Sequence, residues 1–508
     1  MEAAKRIIVN TTAQYLKAVI NTVLSLYSTR LILDALQVSD YGIYTVVGGV
    51  VAMLGFITNA LVITTQRYVS YYHGQGNPQE VRSIFVNSLV LHIFLGALLT
   101  IVLLLPKDWI IHHILSIPSS RIIVAGHIYV ITTFMLFFTI INAPFKALFI
   151  ARENIVYIAV VEVADAVIKF ILAISLAYVS SDKLLVYAVL MGAIVVVNLL
   201  AFSIYALFRF KECTILIRPK DIKKSVIRQL LGFAGWTTYG MGAVAGRNQG
   251  TAVVLNHFFG TAVNAAYGIA FQIYGAVAFV VTSILNAMNP QIMKLEGGKE
   301  REKMLSLAGK ESKFSVAILS IATLPLIIEM PSILEVWLKE VPPYTSLFCR
   351  FILISFLCDQ LTMGLQTAIQ ATGLIKSYTL LIYTPKLLFV PVIWMMFLYG
   401  YSITSMMILF IIVELFVALI RMPYCKLKIN LSISNYVREV IIPQIPLCLF
   451  ICIVGIACST CLNFPFRFVL TYVVSAITGI FCAWLFILDK EEKRYVAQLF
   501  AKRIHTHD

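Results

Sequence analysis

Two basic residues lie in stretches of sequence that are otherwise apolar and long enough to cross a lipid bilayer. Arg247 belongs to the stretch that begins at Gly232, GFAGWTTYGMGAVAGRNQGTAVVLNHFFG, and Lys17 lies in the first apolar run of the chain. A charged group at such depth is costly unless it faces protein or a water-filled cavity, so both are candidate functional residues. Cations in such a place suit an anionic ligand, such as a phosphate or a diphosphate.

Polar side chains accompany both cations. In the first apolar run they recur every three or four residues from Gln14 to Ser28, which places them on one face of a helix. In a membrane, such a face must look into a helical bundle or at water. The predicted substrate-binding residues are Lys17, Asn21, Arg247, Asn248 and Gln249.

Two alternatives to a role in a cavity remain open from the sequence. Lys17 is close enough to the inner boundary of its helix for the ammonium group to reach the lipid headgroups. Arg247 could instead pair with a carboxylate of another helix, such as Asp359 or Glu414.

Four carboxylates within apolar segments are candidates for binding a coupling proton or sodium ion. Glu162 and Asp165 precede Lys169 at helical spacings that would equally allow ion pairs within one helix. Asp359 and Glu414 each lie in a separate apolar run. Because these runs hold as many non-terminal cations as acids, a largely paired interior is the alternative. The sequence predicts no other cofactor and no metal site.

The composition is that of a polytopic membrane protein. The 508 residues are 60% hydrophobic and 13% charged, with a mean hydropathy of +0.89. The net charge of +15 does not indicate nucleic-acid binding, because the cations cluster between apolar runs. We expect the first apolar run to be retained as a span, because no small-residue cleavage site follows it.

Apolar runs of about 20 residues predict an all-α fold with fourteen transmembrane helices. Their approximate ranges are 11–33, 41–63, 84–105, 122–142, 155–178, 185–208, 230–257, 263–289, 314–330, 346–370, 378–399, 403–421, 440–461 and 467–488. With the amino terminus in the cytoplasm, most of the 40 Lys and Arg residues fall in cytoplasmic segments. The positive-inside rule therefore predicts that both termini are cytoplasmic.

The two halves of the chain share a sequence pattern. Tyr41-Gly42-Ile43 recurs as Tyr267-Gly268-Ile269, at an offset of 226 residues. Six predicted crossings separate the two copies, and an even number preserves direction, so the halves form a parallel repeat. The predicted domains are a six-helix bundle at 1–208, a basic cytoplasmic linker at 209–229, a second six-helix bundle at 230–424, and an appended helix pair with a cytoplasmic tail at 425–508.

Motifs of common enzyme classes are missing from the sequence. It contains no Gly-rich phosphate loop ending in Gly-Lys-Ser/Thr, no HExxH, and no soluble segment large enough for a separate active site. We therefore expect a transporter and not an enzyme. A membrane enzyme of polysaccharide assembly, such as a polymerase, is the alternative, although the short predicted outer loops disfavour it.

Several stretches resemble the polysaccharide-biosynthesis flippases of the multidrug/oligosaccharidyl-lipid/polysaccharide (MOP) exporter superfamily, particularly the O-antigen type. They are LYSTRLILDALQVSDYGIYTVVGGVVAMLGF, TTQRYVSYYHGQGN, NAPFKALFIARENIVYIA, and GRNQGTAVVLNHFFGTAVNAAYGIAFQIYGAV with the later NPQIMK. The resemblance runs along nearly the whole chain and is most specific around Arg247 and Tyr267. It implies two six-helix bundles with an extra helix pair.

The resemblance also implies a function. Such a protein would move an undecaprenyl-diphosphate-linked oligosaccharide across the bacterial cytoplasmic membrane by alternating access, with lining cations of both halves receiving the diphosphate. Its partners would be the anionic glycan lipid, membrane lipids and proteins of polysaccharide assembly. The alternative within the superfamily is a cation-coupled multidrug exporter, which needs acidic residues in its cavity, whereas Lys17 and Arg247 would repel cationic drugs.

Overall fold

The described part of the chain is helical. The computed structural model describes residues 2–52, 54–114, 117–338, 340–461, 464 and 466–494, and these form helices and connecting turns without a strand. This confirms the predicted all-α fold. The predicted cytoplasmic tail from 495 to 508 and the predicted outer-loop cation Lys339 lie outside the described residues.

One compact unit comprises Met1–Gly242 and Asn289–Glu300. Its helices are α1 (Glu2–Ala52), α2 (Gly55–Gly74), α3 (Pro78–Leu104), α4 (Ile122–Ala151), α5 (Ile155–Ser175), α6 (Lys183–Arg209) and the ends of α7 (Lys224–Gly297). Gln37 interrupts α1 with a φ of 63°, between the first two predicted spans. A core around Tyr129 and Tyr187 joins α1, α4, α5 and α6.

The second compact unit comprises Ala243–Met288 and Arg301–Asp508. Besides the middle of α7, its helices are α8 (Arg301–Ile328), α9 (Met330–Trp337), α10 (Thr345–Gln360), α11 (Met363–Thr372), α12 (Ile375–Leu398), α13 (Ile403–Ile429), α14 (Gln444–Cys461) and α15 (Arg467–Cys482). Gly260 interrupts α7 with a φ of 82°, a conformation that glycine adopts readily. The interruption separates predicted spans seven and eight.

Ten helices of the described residues are long and apolar enough to cross a membrane, or eleven if α10 and α11 form one bent span. These two helices meet at an angle of 47°. The chain is therefore a multi-pass membrane protein. Three of the fourteen predicted spans, 41–63, 155–178 and 230–257, are not among these helices. In the second of them, α5 carries Glu162, Asp165 and Lys169. The number of crossings stays a prediction.

Small residues allow α7 and α12 to approach closely, as the glycines repeated every fourth residue in α7 indicate. A side chain at Gly246 would lie 3.4 Å from Leu387, and one at Gly250 would lie 2.9 Å from Val390. The close contact brings the middle of α7, with Arg247, against α12, with Lys386. It therefore positions two cations of the site described next.

Candidate functional site

A cluster of five charged side chains lies in the core of the second unit. It contains three cations, Arg247 on α7, Lys386 on α12 and Arg421 on α13, and two carboxylates, Asp359 on α10 and Glu414 on α13. Four helices therefore contribute to one site. Such an arrangement is consistent with burial, because charges removed from water require opposite charges and hydrogen bonds.

The five charges form a continuous chain of ion pairs. Arg247 donates to Oε1 of Glu414, whose Oε2 lies 2.8 Å from Nζ of Lys386. Lys386 also lies 3.6 Å from Oδ1 of Asp359, and Nη2 of Arg421 lies 2.9 Å from the same atom. The side chains of Lys386 and Glu414 are both only 6% exposed, whereas that of Asp359 is 19% exposed. The cluster is thus buried but accessible near Asp359.

A cavity of about 180 Å³ adjoins the cluster. All five charged side chains line it, together with Asn248, Gln366 and aromatic rings. The guanidinium of Arg247 lies 4.4 Å from the centre of the Phe410 ring, and its Nε donates to the amide oxygen of Asn248. The cavity therefore offers cationic groups beside apolar ring faces, which is suitable for an anionic group attached to a less polar one.

The structure places Arg247 both in an ion pair and in a cavity. Arg247 pairs with Glu414, one of the partners that the sequence offered, and it also lines the cavity. Its role in binding a substrate stays a prediction. Asn248 lies beside it in the same cavity. Gln249 is exposed and does not line the cavity, so its binding role stays a prediction.

A second, half-buried ion cluster lies in the first unit, around Glu162 on α5. Nζ of Lys17 lies 2.7 Å from Oε2 of Glu162, and Nζ of Lys146 on α4 lies 2.6 Å from Oε1. Lys17 is only 14% exposed, so its ammonium group is held by protein. The amide oxygen of Asn21, one turn further along α1, is buried without a hydrogen-bond partner among the described residues.

The candidate ion-coupling carboxylates are all engaged by other groups. Asp165 pairs with Lys169 at 2.7 Å, as the spacing allowed, and accepts a hydrogen bond from Asn198. Glu162, however, binds Lys17 and Lys146 of other helices instead of a cation of its own helix. Asp359 and Glu414 belong to the cluster of the second unit. A role for any of them in ion coupling stays a prediction.

The sequence did not identify Arg421 as a site residue. It stands at the last position of the predicted span 403–421, but α13 continues to Ile429 and Arg421 is only 1% exposed. Its guanidinium also donates to the Asp359 carbonyl and to the hydroxyl of Thr362. Its position seven residues after Glu414, two helical turns on the same face, could have indicated a shared site.

Solved structures with a similar fold belong to a family of membrane transporters. The crystal structure of a MATE mutant superposes with a TM-score of 0.73 and 15% identity, over 84% of this chain and 96% of that one. MATE in a bent conformation gives a TM-score of 0.73 at 13% identity, over 87% and 98%. This chain has the MATE transporter fold.

A third solved structure with this fold is described by the polarity of its binding pocket. It is a MOP superfamily transporter from Pyrococcus furiosus, with a TM-score of 0.70 and 14% identity over 84% of this chain and 96% of that one. Its binding pocket is described as having a reverse polarity that suggests a different function. No protein-family model and no curated protein matches the present chain.

Proposed function

We propose that this MATE-fold protein is a flippase for a lipid-linked oligosaccharide. Its substrate would be an undecaprenyl-diphosphate-linked glycan, moved across the bacterial cytoplasmic membrane by alternating access, with both chain termini in the cytoplasm. The lipid tail would remain among the membrane lipids while the charged diphosphate contacts the protein. Transport, and not catalysis, is part of this proposal.

The observation that carries the proposal is an excess of positive charge in both clusters, the buried one of the second unit and the half-buried one of the first. The second unit has three cations for two carboxylates, and the first has two cations for one carboxylate. With every group in its usual ionic form, each cluster carries one more positive than negative charge among the described residues. An anionic ligand would neutralise that charge, whereas a cationic drug would add to it.

The size of the cavity favours recognition of a headgroup fragment. Its volume of about 180 Å³ is below the roughly 300–1,000 Å³ typical of pockets that enclose a whole small molecule. Arg247 and Arg421 offer guanidinium groups, which match phosphate oxygens in geometry and charge. The second unit would therefore hold the phosphate group, while the glycan and the polyprenyl chain extend beyond it.

A multidrug exporter is the competing function, because the similar structures include a multidrug resistance transporter of the MATE family. In that case Asp359 and Glu414 would bind the cationic substrate or its coupling ion. The reversed polarity described for the transporter from Pyrococcus furiosus supports the view that one fold accommodates pockets of either charge. The sign of the charge that transport requires distinguishes the two functions.

The test compares charge-removing variants of the same cluster. Proteoliposomes would contain a fluorescent polyprenyl-diphosphate sugar, and the fraction accessible to a membrane-impermeant quencher would be followed over time. We expect Arg247→Gln and Lys386→Met to slow translocation about 10- to 100-fold, because a lost hydrogen bond to a charged group is worth about 1.5–3 kcal/mol. Glu414→Gln should retain translocation, because it increases the positive excess.

Lys428→Met is the matched control, because Lys428 is exposed on the same helix as Glu414 and Arg421. Its translocation rate should equal that of the unmodified protein. If the variants lacking a cation translocate normally while Glu414→Gln and Asp359→Asn abolish export of a cationic dye, the exporter replaces our proposal. The double variant Arg247→Gln/Glu414→Gln restores the excess of one positive charge. It therefore tests whether the net charge of the cluster is sufficient for translocation.

A further inference from the structure

A buried carboxyl group without a cation lies on α8, away from the charges of the candidate site. Glu311 is fully buried. Its Oε1 accepts a hydrogen bond of 3.2 Å from the hydroxyl of Thr367 on α11, and its Oε2 has no hydrogen-bond partner in the described part of the chain. Among the described residues no cation forms an ion pair with it. This contrasts with Asp359, Glu414 and Glu162, which all contact cations.

Glu311 lies where α8 packs against the start of α11. The adjacent Ser312 accepts a hydrogen bond of 2.8 Å from the backbone N–H of Gly364. A side chain at Gly364 would lie only 1.9 Å from the carbonyl oxygen of Ala308, one turn before Glu311. The backbones of α8 and α11 are therefore in direct contact. A change in the charge of the Glu311 carboxyl group would disturb their packing.

The same contact adjoins the bend between α10 and α11. Gly364 is the second residue of α11, immediately after the bend. On the other side, Arg421 of the candidate site donates to the Asp359 carbonyl at 3.0 Å and to the Thr362 hydroxyl at 3.3 Å. The bend is thus held between the charge cluster and the α8 segment that carries Glu311.

A cavity of about 820 Å³ gives the segment a route to water. Gly309, Lys310 and Lys313 of α8 line it, as does Tyr436. The hydroxyl of Tyr436 donates to the carbonyl oxygen of Leu361 at the bend, 2.9 Å away, and also bonds to the hydroxyl of Ser312. Tyr436 and Ser312 therefore form a polar connection between the cavity and the surroundings of Glu311.

Several other charged groups near this part of α8 form ion pairs. Lys310 and Lys313 on α8 pair with Glu492, and Arg421 on α13 pairs with Asp359 on α10. No residue of α11 titrates. Further titratable groups on the elements around α8 include Arg350 on α10, Cys425 on α13, Tyr436 and the neighbouring Arg438 and Glu439, Cys448 on α14, and Arg467 on α15.

We propose that Glu311 is a proton-binding site whose occupancy controls the packing of α8 against α11. An ionised carboxylate buried without a cation is strongly unfavourable, so the packed arrangement requires the neutral carboxyl group. When the proton leaves toward the water-accessible cavity, on the side of Ser312 and Tyr436, the carboxylate retains a single hydrogen bond from Thr367. The α8–α11 contact then weakens, and the bend next to Arg421 is released.

Coupling of this proton to translocation rests on the proposed flippase function, but proton binding itself does not. The primary test therefore uses the purified full chain in detergent without any substrate. Infrared difference spectra at neutral pH should show the carbonyl stretch of a protonated carboxyl group, and Glu311→Gln should remove that band. Glu335→Gln, an exposed position on α9, is the control and should leave it unchanged.

The second readout is the exchange of backbone amides of Met363–Thr372 with deuterated solvent as a function of pH. In the unmodified protein we expect exchange to increase with rising pH beyond the intrinsic chemical increase, because deprotonation loosens α11. Glu311→Gln, which mimics the neutral carboxyl group, should show only the intrinsic increase. Tyr436→Phe should retain the infrared band but slow its shift after transfer to deuterated water.

Absence of a protonated carboxyl band in the unmodified protein would overturn the proposal without any variant. Persistence of the band in Glu311→Gln would overturn it as well. If Glu311→Gln does not fold, Thr367→Val provides the assignment, because loss of the hydrogen bond to Oε1 should shift the band to higher frequency; an unshifted band would contradict us. If the infrared band is assigned to Glu311 but Glu311→Gln translocates the substrate normally, coupling of the proton to translocation is rejected. The proposed function then stays intact.

Discussion

At the scale of single residues, the cluster around Glu162 gives a prediction about stability. Glu162→Gln should destabilise the protein by about 1–3 kcal/mol, because two partly buried ammonium groups lose the counter-charge that they share. The loss should be less than that for a fully buried pair, since Lys146 is 37% exposed and therefore partly screened by solvent. The measurement is the midpoint of thermal unfolding in detergent, followed by intrinsic fluorescence.

Asp108→Asn is the matched control for this experiment. Asp108 pairs with Lys107 at 3.4 Å but is 82% exposed, and exposed pairs contribute little. Its unfolding midpoint should be unchanged. Equal midpoints for Glu162→Gln and the unmodified protein would contradict a structural role for the cluster.

From the sequence, the charged residues inside the helical bundles could be predicted, but most of their ion-pair partners could not. Lys17, Arg247, Glu162, Asp359 and Glu414 were recognisable because each interrupts an apolar run. Their pairing depends on which helices are neighbours, which periodicity alone does not determine.

Two buried groups were missed because they lie in polar sequence. Arg421 follows an apolar run, and Glu311 belongs to REKMLSLAGKESK, which reads as a charged cytoplasmic segment. In both places the helix continues beyond the apolar run, as α13 does to Ile429 and α8 does from Arg301. Only tertiary contacts show which of several neighbouring charges is buried.

At the scale of helices, apolar runs predicted the existence of the elements but not their breaks. Gln37 and Gly260 interrupt helices that otherwise continue, and Leu361–Thr362 separates α10 from α11 inside one predicted span. Neither Gln37 nor Thr362 is a strong helix-breaking residue. The residue types at these two breaks therefore do not explain why the helix is interrupted there, and the sequence did not reveal the breaks.

The contact between α8 and α11 gives a prediction at this scale. Gly364→Ala should lower the unfolding midpoint, corresponding to roughly 1–3 kcal/mol, because the new methyl group meets the backbone of Ala308 and the helices must separate. Gly268→Ala is the control, since nothing lies within 4 Å of a side chain built there. It should be neutral or stabilising by up to about 1 kcal/mol.

A normal midpoint for Gly364→Ala would mean that α8 and α11 are separated more widely than the structure shows. That outcome would also weaken the inference about Glu311, because the inference depends on close packing at this position. Amide exchange of Met363–Thr372 in the same variant would show whether the effect remains local.

At the scale of the whole molecule, the distribution of charge predicts an orientation in the membrane that helix packing does not test. Basic segments, including 209–229, are predicted on the cytoplasmic side, and the turn between α14 and α15 on the outer side. These two places must be separated by an odd number of crossings. The fourteen-span prediction places seven helices between them.

Cysteine labelling tests this orientation with a native residue. Of the nine free cysteines, Cys461 at the end of α14 is exposed, and the others are buried or half-buried. Cys213, in the basic segment, is protected further because burial raises the pKa of its thiol to about 12 and the reactive thiolate is scarce. We expect a membrane-impermeant maleimide to label intact spheroplasts at Cys461, and Cys461→Ser to abolish that labelling.

A second probe determines the opposite side. Lys220 is exposed in the predicted cytoplasmic segment, so Lys220→Cys in the Cys461→Ser background should be labelled only after the membrane is permeabilised. Labelling of both positions from the same side would require an even number of crossings between them. In that case a weakly apolar helix between the two positions, such as the first part of α7, does not cross the membrane as predicted, and the parallel relation of the two halves is lost.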